Sequence, residues 1–334
     1  MGPALQSHAY DHLATSPKEE ARLVELNRTG LLDTPPEPEF DNIARLVTNA
    51  LNVPMAAVTL IDRERAWLKS SVGLSGSQSP RWQSFCSHAV ALGETLIVPD
   101  AALDPRFVDN PSVTSDPHIR FYAGVPLTTR GGHSVGTLCA VDRLPREPSD
   151  REISILQQLA GLVVQQIELR LAANTDGLTG AMQRRAFFAA GERDLARTRR
   201  SHAPFACLFL DADHFKALND TFGHAAGDEA LRRIVSDCSS VIRSCDYVGR
   251  LGGEEFCIFL PEASHEAALQ IAERVRARIG ECSLGGLRLT VSIGIAVASP
   301  EDQSLAEIVR RADQAVYEAK KLGRNRVHAA DSGR

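Results

Sequence analysis

Six apolar residues, Phe205-Ala-Cys-Leu-Phe-Leu210, run without interruption into the acidic segment Asp211-Ala-Asp-His-Phe-Lys216. A run of that length predicts a buried strand that stops where the charge begins. In open α/β sheets ligands bind beyond the carboxyl ends of the strands, so Asp211 and its neighbours stand where a site is expected. Around this strand the pattern alternates. Gly227–Val241, Leu269–Ile279 and Leu305–Lys320 read as amphipathic helices, and Cys257–Leu260 and Leu287–Val297 as strands. The chain from Asp176 onward is thus an expected α/β domain of about 160 residues.

Two further clusters accompany the acidic one. In Arg250-Leu-Gly-Gly-Glu-Glu-Phe256 the Gly252-Gly253 pair between apolar segments predicts a two-residue hairpin turn. Such a turn holds Glu254 and Glu255 at its tip. Acidic groups on two adjacent elements make a hard, oxygen-rich cage suited to magnesium and phosphate. Lys320-Lys-Leu-Gly-Arg-Asn-Arg326 follows a helix and is suited to neutralising a polyphosphate. Taken singly, acidic hairpin tips are usually just solvated, and a basic helix end often only complements the helix dipole.

The chain has 334 residues, enough for two domains. In the first half, Lys18–Asn27 and Phe40–Leu51 read as helices, and Pro54–Ile61 as a buried strand with Trp67–Val72 as its hairpin partner. Gly124–Leu127 and Val135–Val141 are further strands, giving an α+β or α/β domain of sensor size. Ser149 with Glu152 forms a capping box that starts a helix. Along it Ile153, Leu156, Ala160, Val163 and Ile167 recur by threes and fours. That stripe either packs on its own domain or pairs across a dimer as a signalling helix.

Composition sets limits on partners. A net charge of −5 argues against a general nucleic-acid or anionic-membrane surface. The polar first residues lack the apolar core of a signal peptide, and no window approaches about 18 consecutive apolar residues, so neither secretion nor membrane insertion is expected and the location is cytoplasmic. The seven cysteines are odd in number, scattered and without a C-x-x-C pair. They are expected to be buried or inert thiols, not a disulfide framework or zinc site.

Seven ordered segments of the second half together resemble the GGDEF domain of diguanylate cyclases. They are Asp176-Gly-Leu-Thr-Gly180 with Arg184-Arg-Ala-Phe187, Asp211–Asp220, Gly223-His224 with Gly227-Asp228, Gly252-Gly-Glu-Glu-Phe256, Thr290-Val-Ser-Ile-Gly294, Ala312-Asp313 with Tyr317, and Ala319-Lys320 with Gly323-Arg-Asn325. The resemblance implies a ferredoxin-like βαββαβ core related to nucleotide cyclases and the condensation of two GTP into cyclic di-GMP and pyrophosphate. It implies two magnesium ions per half-site, replaceable by manganese, held by Asp211, the Ala212 carbonyl and Glu254. Glu254 would also act as base for the GTP 3′-hydroxyl or hold the metal that acidifies it, with Glu255 supporting the metal and Lys216 steadying phosphate charge. Asn219 and Asp228 would read the guanine edge, Phe215 and His224 would contact the nucleotide, and Lys320 and Arg324 would hold the terminal phosphates. Since each domain binds one GTP, ring closure implies a homodimer. Arg243-Ser-Cys-Asp246 resembles the family's R-x-x-D product-inhibition site, making cyclic di-GMP both product and inhibitor. Ala181, Gln183 and His214 depart from the family's usual residues.

The first half resembles a GAF sensor domain through Leu32-Asp-Thr-Pro-Pro-Glu37, Phe85-Cys-Ser-His88, Arg120–Leu127 and Gly136-Thr-Leu-Cys139, among other segments. The expected layout is a flexible tail over 1–21, GAF over 22–148, a connecting signalling helix over 149–174 and GGDEF over 175–330. The GAF ligand or signal stays open. Cys86 with His88 suggests a covalent tetrapyrrole or a redox thiol, or simply a packed thiol beside a hydrogen-bonded histidine. Two other functions compete: a non-catalytic cyclic di-GMP receptor, disfavoured by the intact Asp211, Lys216, Glu254 and Glu255, and a cyclase for another nucleotide, disfavoured by Asn219 and Asp228.

Overall fold

The computed structural model describes residues 16–330 apart from 282, 285 and 286, and divides into two compact units, 1–171 and 172–334. Of the expected tail, residues 1–15 lie outside the described residues, as does Cys282, whereas Ser16 caps the first helix by accepting from the Glu19 N–H. No described helix is long and apolar enough to cross a membrane.

In the first unit, helices α1 (Pro17–Thr29) and α2 (Pro38–Leu51) precede strands β1 (Met55–Ile61), β2 (Arg65–Val72) and β3 (Gln78–Pro80). Then come α3 (Phe85–Leu92), β4 (Leu96–Val98), the short α4 (Pro111–Thr114), β5 (Phe121–Thr128), β6 (Ser134–Asp142) and α5 (Asp150–Asn174). The sheet order is β3-β2-β1-β6-β5-β4, antiparallel throughout. Strand β1 is apolar at nearly every position because both its faces are covered. Ala56, Val58 and Leu60 pack toward α1, α2 and α5, whereas Met55, Ala57 and Ile61 pack toward α3.

The capping box forms as expected, with Glu152 accepting from the Ser149 N–H and the Ser149 hydroxyl accepting from the Glu152 N–H. The stripe above it decides between the two readings of α5. Leu156, Ala160, Val163, Ile167 and Leu171 are buried in the core of the first unit. Residues 156–171 of the helix expected as a connector over 149–174 thus pack on the first unit, and of the expected stripe Ile153 alone is left half-buried. Its other face carries Leu162 and Leu169, 44% and 65% exposed. His88 stands edge-on to Phe107, and burial first holds its imidazole well down, to about 4.

The second unit runs β7 (Met182–Gln183), α6 (Arg184–Ser201), β8 (Phe205–Ala212), α7 (Phe215–Phe222), α8 (His224–Val241), β9 (Tyr247–Arg250), β10 (Glu255–Pro261) and α9 (His265–Gly280). It continues with β11 (Ser283–Leu284), β12 (Leu287–Arg288), β13 (Val291–Val297), α10 (Leu305–Lys321) and β14 (Val327–Ala329). The larger sheet has the order β14-β13-β8-β10-β9-β7. Its inner four strands are mutually antiparallel, and with α8 and α9 they form the expected βαββαβ core. Strand β8 is central, which explains its unbroken apolar run. Ala206, Leu208 and Leu210 meet the cluster under α8 and α9, and Phe205, Cys207 and Phe209 the cluster under α10.

Two local expectations change. The hairpin is not a two-residue turn. Arg250 pairs with Phe256 and the Leu251 N–H donates to the Glu255 carbonyl, which leaves Gly252, Gly253 and Glu254 in the loop. The single strand expected over Leu287–Val297 is broken at residues 289–290. There the Thr290 carbonyl accepts from the Asp213 N–H and its hydroxyl donates to the Asp213 carboxylate, drawing the strand toward the acidic loop.

Candidate active site

Asp211 is the penultimate residue of β8 and lies directly opposite Glu255, the first residue of β10. Opposed residues of an antiparallel pair project to the same face, so backbone register brings these two carboxylates together, an arrangement that costs stability. Glu254 sits beside them in the loop, and its carbonyl accepts from the Ala212 N–H at 3.3 Å. Burial is the first cause that pushes both Asp211 and Glu254 above the ordinary carboxylate range, and each rise is reinforced by neighbouring acids. The compensating cation is Lys320, near the end of α10, whose Nζ is 2.8 Å from Asp211 Oδ2.

Asp213, to which the sequence assigned no role, is the brace of this loop. It is 8% exposed and accepts from the Thr290 and Ser292 hydroxyls and from the Asn325 N–H. The last bond ties the turn after α10 to the acidic loop. That turn is strained, with Arg324 and Asn325 both at positive φ, 62° and 44°. Arg324 is exposed there, and its N–H donates to the Ala319 carbonyl. Arg250 is a second unassigned brace, donating to the Gly252 and Gly253 carbonyls and to Asp176. The two ends of that ion pair are far apart in sequence, so no local pattern announces it. A cleft of about 320 Å³ lined by Asp176, Gln183, Arg184 and Arg250 to Gly253 opens beside the hairpin.

The expected base-reading residues occupy α7 and the start of α8. Asn219 is half-buried, and its Oδ1 is buried without a hydrogen-bond partner, a costly state unless something donates to it. It is pressed against Gly227, where a Cβ would lie 1.9 Å from Oδ1. Asp228 is half-buried on the same helix, and His224 is exposed at its first turn behind Gly223 (φ 81°). Lys216 is exposed on the first turn of α7. Phe215 belongs to the core at 9% exposure. His214 departs from the apolar norm without losing a core contact, because it is exposed, and it takes the left-handed conformation (φ 57°) at the N-cap of α7.

Arg243 and Asp246 lie between α8 and β9 and are already bound to each other. Asp246 accepts from the Arg243 N–H, Nε and Nη2, and Nη2 also reaches the Pro261 carbonyl. The Asp246 side chain is 0% exposed and that of Arg243 50%. Asp246 is therefore a brace that aims the guanidinium, and the surface open to a ligand is Arg243.

Comparisons with known proteins place both domains along the chain. Residues 173–326 match the family model described as diguanylate cyclase, GGDEF domain, and residues 35–167 match that of the GAF domain. A cyclic di-GMP phosphodiesterase of Pseudomonas aeruginosa is 39% identical over 177 residues, 52% of this chain and 30% of that protein. The diguanylate cyclase DgcM of Escherichia coli K12 is 35% identical over 226 residues, 67% of this chain and 50% of that protein. The chain thus spans half or less of the length of these relatives. The coiled coil and GGDEF domain of DgcB from Caulobacter crescentus, solved with c-di-GMP, superposes with a TM-score of 0.50 at 31% identity, covering 54% of this chain and 97% of that one.

Proposed function

The chain belongs to the family that joins a GAF domain to a GGDEF domain, and from that premise we propose that it condenses two GTP into cyclic di-GMP and two pyrophosphates under GAF control. The observation that carries this reading is the meeting of Asp211, Glu254 and Glu255 with Lys320 at one end of the central strand pair. Asn219 supports guanine as the base, since its unpartnered buried oxygen is an acceptor waiting for an amino or imino donor. Incubation with GTP and a divalent metal, followed by chromatography of the products, tests the reading; ATP consumed as fast as GTP overturns it.

The donor set fits a hard divalent cation. Among the described residues no group of three or more His, Cys, Asp and Glu side chains converges as around a preformed metal. Paired carboxylates with a backbone carbonyl suit magnesium or manganese arriving with substrate phosphates, which supply the remaining oxygens. Asp211, the Ala212 carbonyl and Glu254 would hold two such ions, with Glu255 beside Asp211. A metal held there would neutralise phosphate charge and acidify the 3′-hydroxyl. Lys320 then exchanges Asp211 for the terminal phosphates together with Arg324, and Lys216 meets the transferring group. One domain holds one GTP, so the second arrives on a partner copy facing it across a two-fold axis.

The raised carboxyl groups set a pH dependence. Their protonation competes with the metal, so the stabilisation that magnesium confers should fade on acidification at a higher pH than ordinary carboxylates would give. In the metal-free protein the sign reverses. A folded pKa above the unfolded value favours the fold at acid pH, and that contribution is lost as pH rises through the folded value. Melting curves across pH with and without magnesium check both signs. A magnesium shift that is flat to the pH where exposed carboxylates titrate counts against the assignment.

Product feedback is supported by the half-exposed Arg243 on its buried brace. Arg243→Ala removes the fork suited to guanine acceptors, a contact typically worth ~1–3 kcal/mol. Product affinity should fall roughly 5- to 150-fold with initial rates unchanged. Coincident product-inhibition curves for the two proteins would remove the feedback site.

A further inference from the structure

The first unit holds a cavity of about 260 Å³ lined by Thr59, Cys86, Tyr122 and Cys139 among others. Its floor is polar where the surrounding core is apolar. Thr59 on β1 and Thr137 on β6 are direct cross-strand partners, 1% and 0% exposed, and neither hydroxyl makes a well-formed hydrogen bond, the nearest polar groups being the thiol sulfurs. Leaving a buried hydroxyl unpaired costs ~1–3 kcal/mol, and Thr59 lines a space that a small polar molecule can enter.

Two sulfurs flank these hydroxyls. Cys86 on α3 and Cys139 on β6 are 4.0 Å apart, Sγ to Sγ. Their surroundings differ. The Tyr122 hydroxyl donates to Cys86 Sγ at 3.4 Å, and Gly124 leaves room for it, since a Cβ there would lie 2.1 Å from that oxygen. Cys139 Sγ instead donates to the Ala57 carbonyl at 3.6 Å. The first proton to leave the pair is therefore that of Cys86, whose thiol is held below its ordinary value first by the Cys139 sulfur, while Cys139 is pushed well up by Cys86 and by burial. Burial also keeps the Tyr122 hydroxyl protonated, and so a donor.

We propose that Cys86 and Cys139 form a peroxide-reactive dithiol, with the cavity admitting a small hydroperoxide to Cys86 and the hydroxyls of Thr59 and Tyr122 holding its oxygens. The Cys86 thiolate attacks one peroxide oxygen and the O–O bond breaks. The departing hydroxide or alkoxide leaves as water or alcohol with the proton Cys86 gave up, and Cys86 becomes a sulfenic acid. Cys139 then attacks that sulfur, its own proton leaves with the displaced hydroxide as water, and the disulfide closes. Two thiols and one hydroperoxide thus give one disulfide, one water and one water or alcohol. Closure shortens the 4.0 Å Sγ separation to the roughly 2.05 Å of an S–S bond.

Proximity alone selects a different pair. Cys207 and Cys257 are nearer, 3.2 Å apart, but sit inside the aromatic cluster of the second unit, and burial pushes Cys257 well above its ordinary value. The test is to treat the reduced full chain with hydrogen peroxide, alkylate the remaining thiols and map the peptides. A Cys86–Cys139 link should form first, with Cys207 and Cys257 still alkylated. Cys139→Ser should trap a dimedone-reactive sulfenic acid on Cys86, and Tyr122→Phe should slow the wild-type reaction about tenfold. The proposal is overturned if the wild-type map shows no such link, if Cys207–Cys257 closes first, or if dimedone labels Cys86 no faster than the other cysteines. The wild-type map decides the matter even where a variant folds poorly.

Discussion

Glu254→Gln should lower cyclic di-GMP formation by a factor on the order of a thousand or more while leaving the fold intact. The substitution keeps the size of the side chain and removes one negative charge from the hairpin tip, where the metal and the developing alkoxide both need it. No hydrogen bond of the fold is lost, because the contact Glu254 makes with Ala212 runs through its backbone carbonyl. Burial and the Asp211 carboxylate already disfavour its charge, so the metal-free variant should melt at or above the wild-type temperature. The measurement pairs turnover at saturating magnesium with a thermal melt. Turnover within tenfold of wild type would remove Glu254 from the chemistry, and a collapsed melt would show that the residue is structural.

Much of this site was legible in the sequence because its parts are punctuated. An apolar run leading into Asp211 reads as a buried strand, and β8 is buried along its whole length, with Asp211 itself only 8% exposed. The capping box at Ser149 likewise formed where it was read. What stayed hidden depends on partners remote in sequence. The spacing in α5 gave the stripe and not its destination, which the apolar faces of β1, β5 and β6 decided. The break at residues 289–290 follows from Asp213 claiming Thr290, a contact 77 positions apart. Asp176 with Arg250, and Cys86 with Cys139, are pairs of the same kind. The motif names Phe215 and Asp246 but not their burial, which comes from the core under α7 and from the Arg243 guanidinium.

Gly294→Ala should be the most damaging single methyl in the second unit. Gly294 lies on β13 where α10 crosses closest, and a Cβ there would stand 2.0 Å from the Ala312 carbonyl oxygen, 2.6 Å from the Val316 nitrogen and 3.0 Å from the Ala315 carbonyl carbon. All three are helix backbone, so no rotamer change relieves the overlap and the helix itself must lift. Overpacking of this kind costs about 3 kcal/mol or more, at the top of its usual range, which for a unit of this size lowers Tm by roughly 6–12 °C. The same helix carries Lys320 to its 2.8 Å contact with Asp211, so activity should fall with stability even though no site residue is changed. Gly161→Ala is the matched control. That glycine is exposed in the middle of α5 with nothing within 4 Å of a built Cβ, and Ala there should stabilise by up to ~1 kcal/mol. Calorimetry of the two variants separates the cases. Equal melting of Gly294→Ala and wild type would mean that α10 is not seated on β13 through this glycine, and that Lys320 reaches Asp211 by some other constraint.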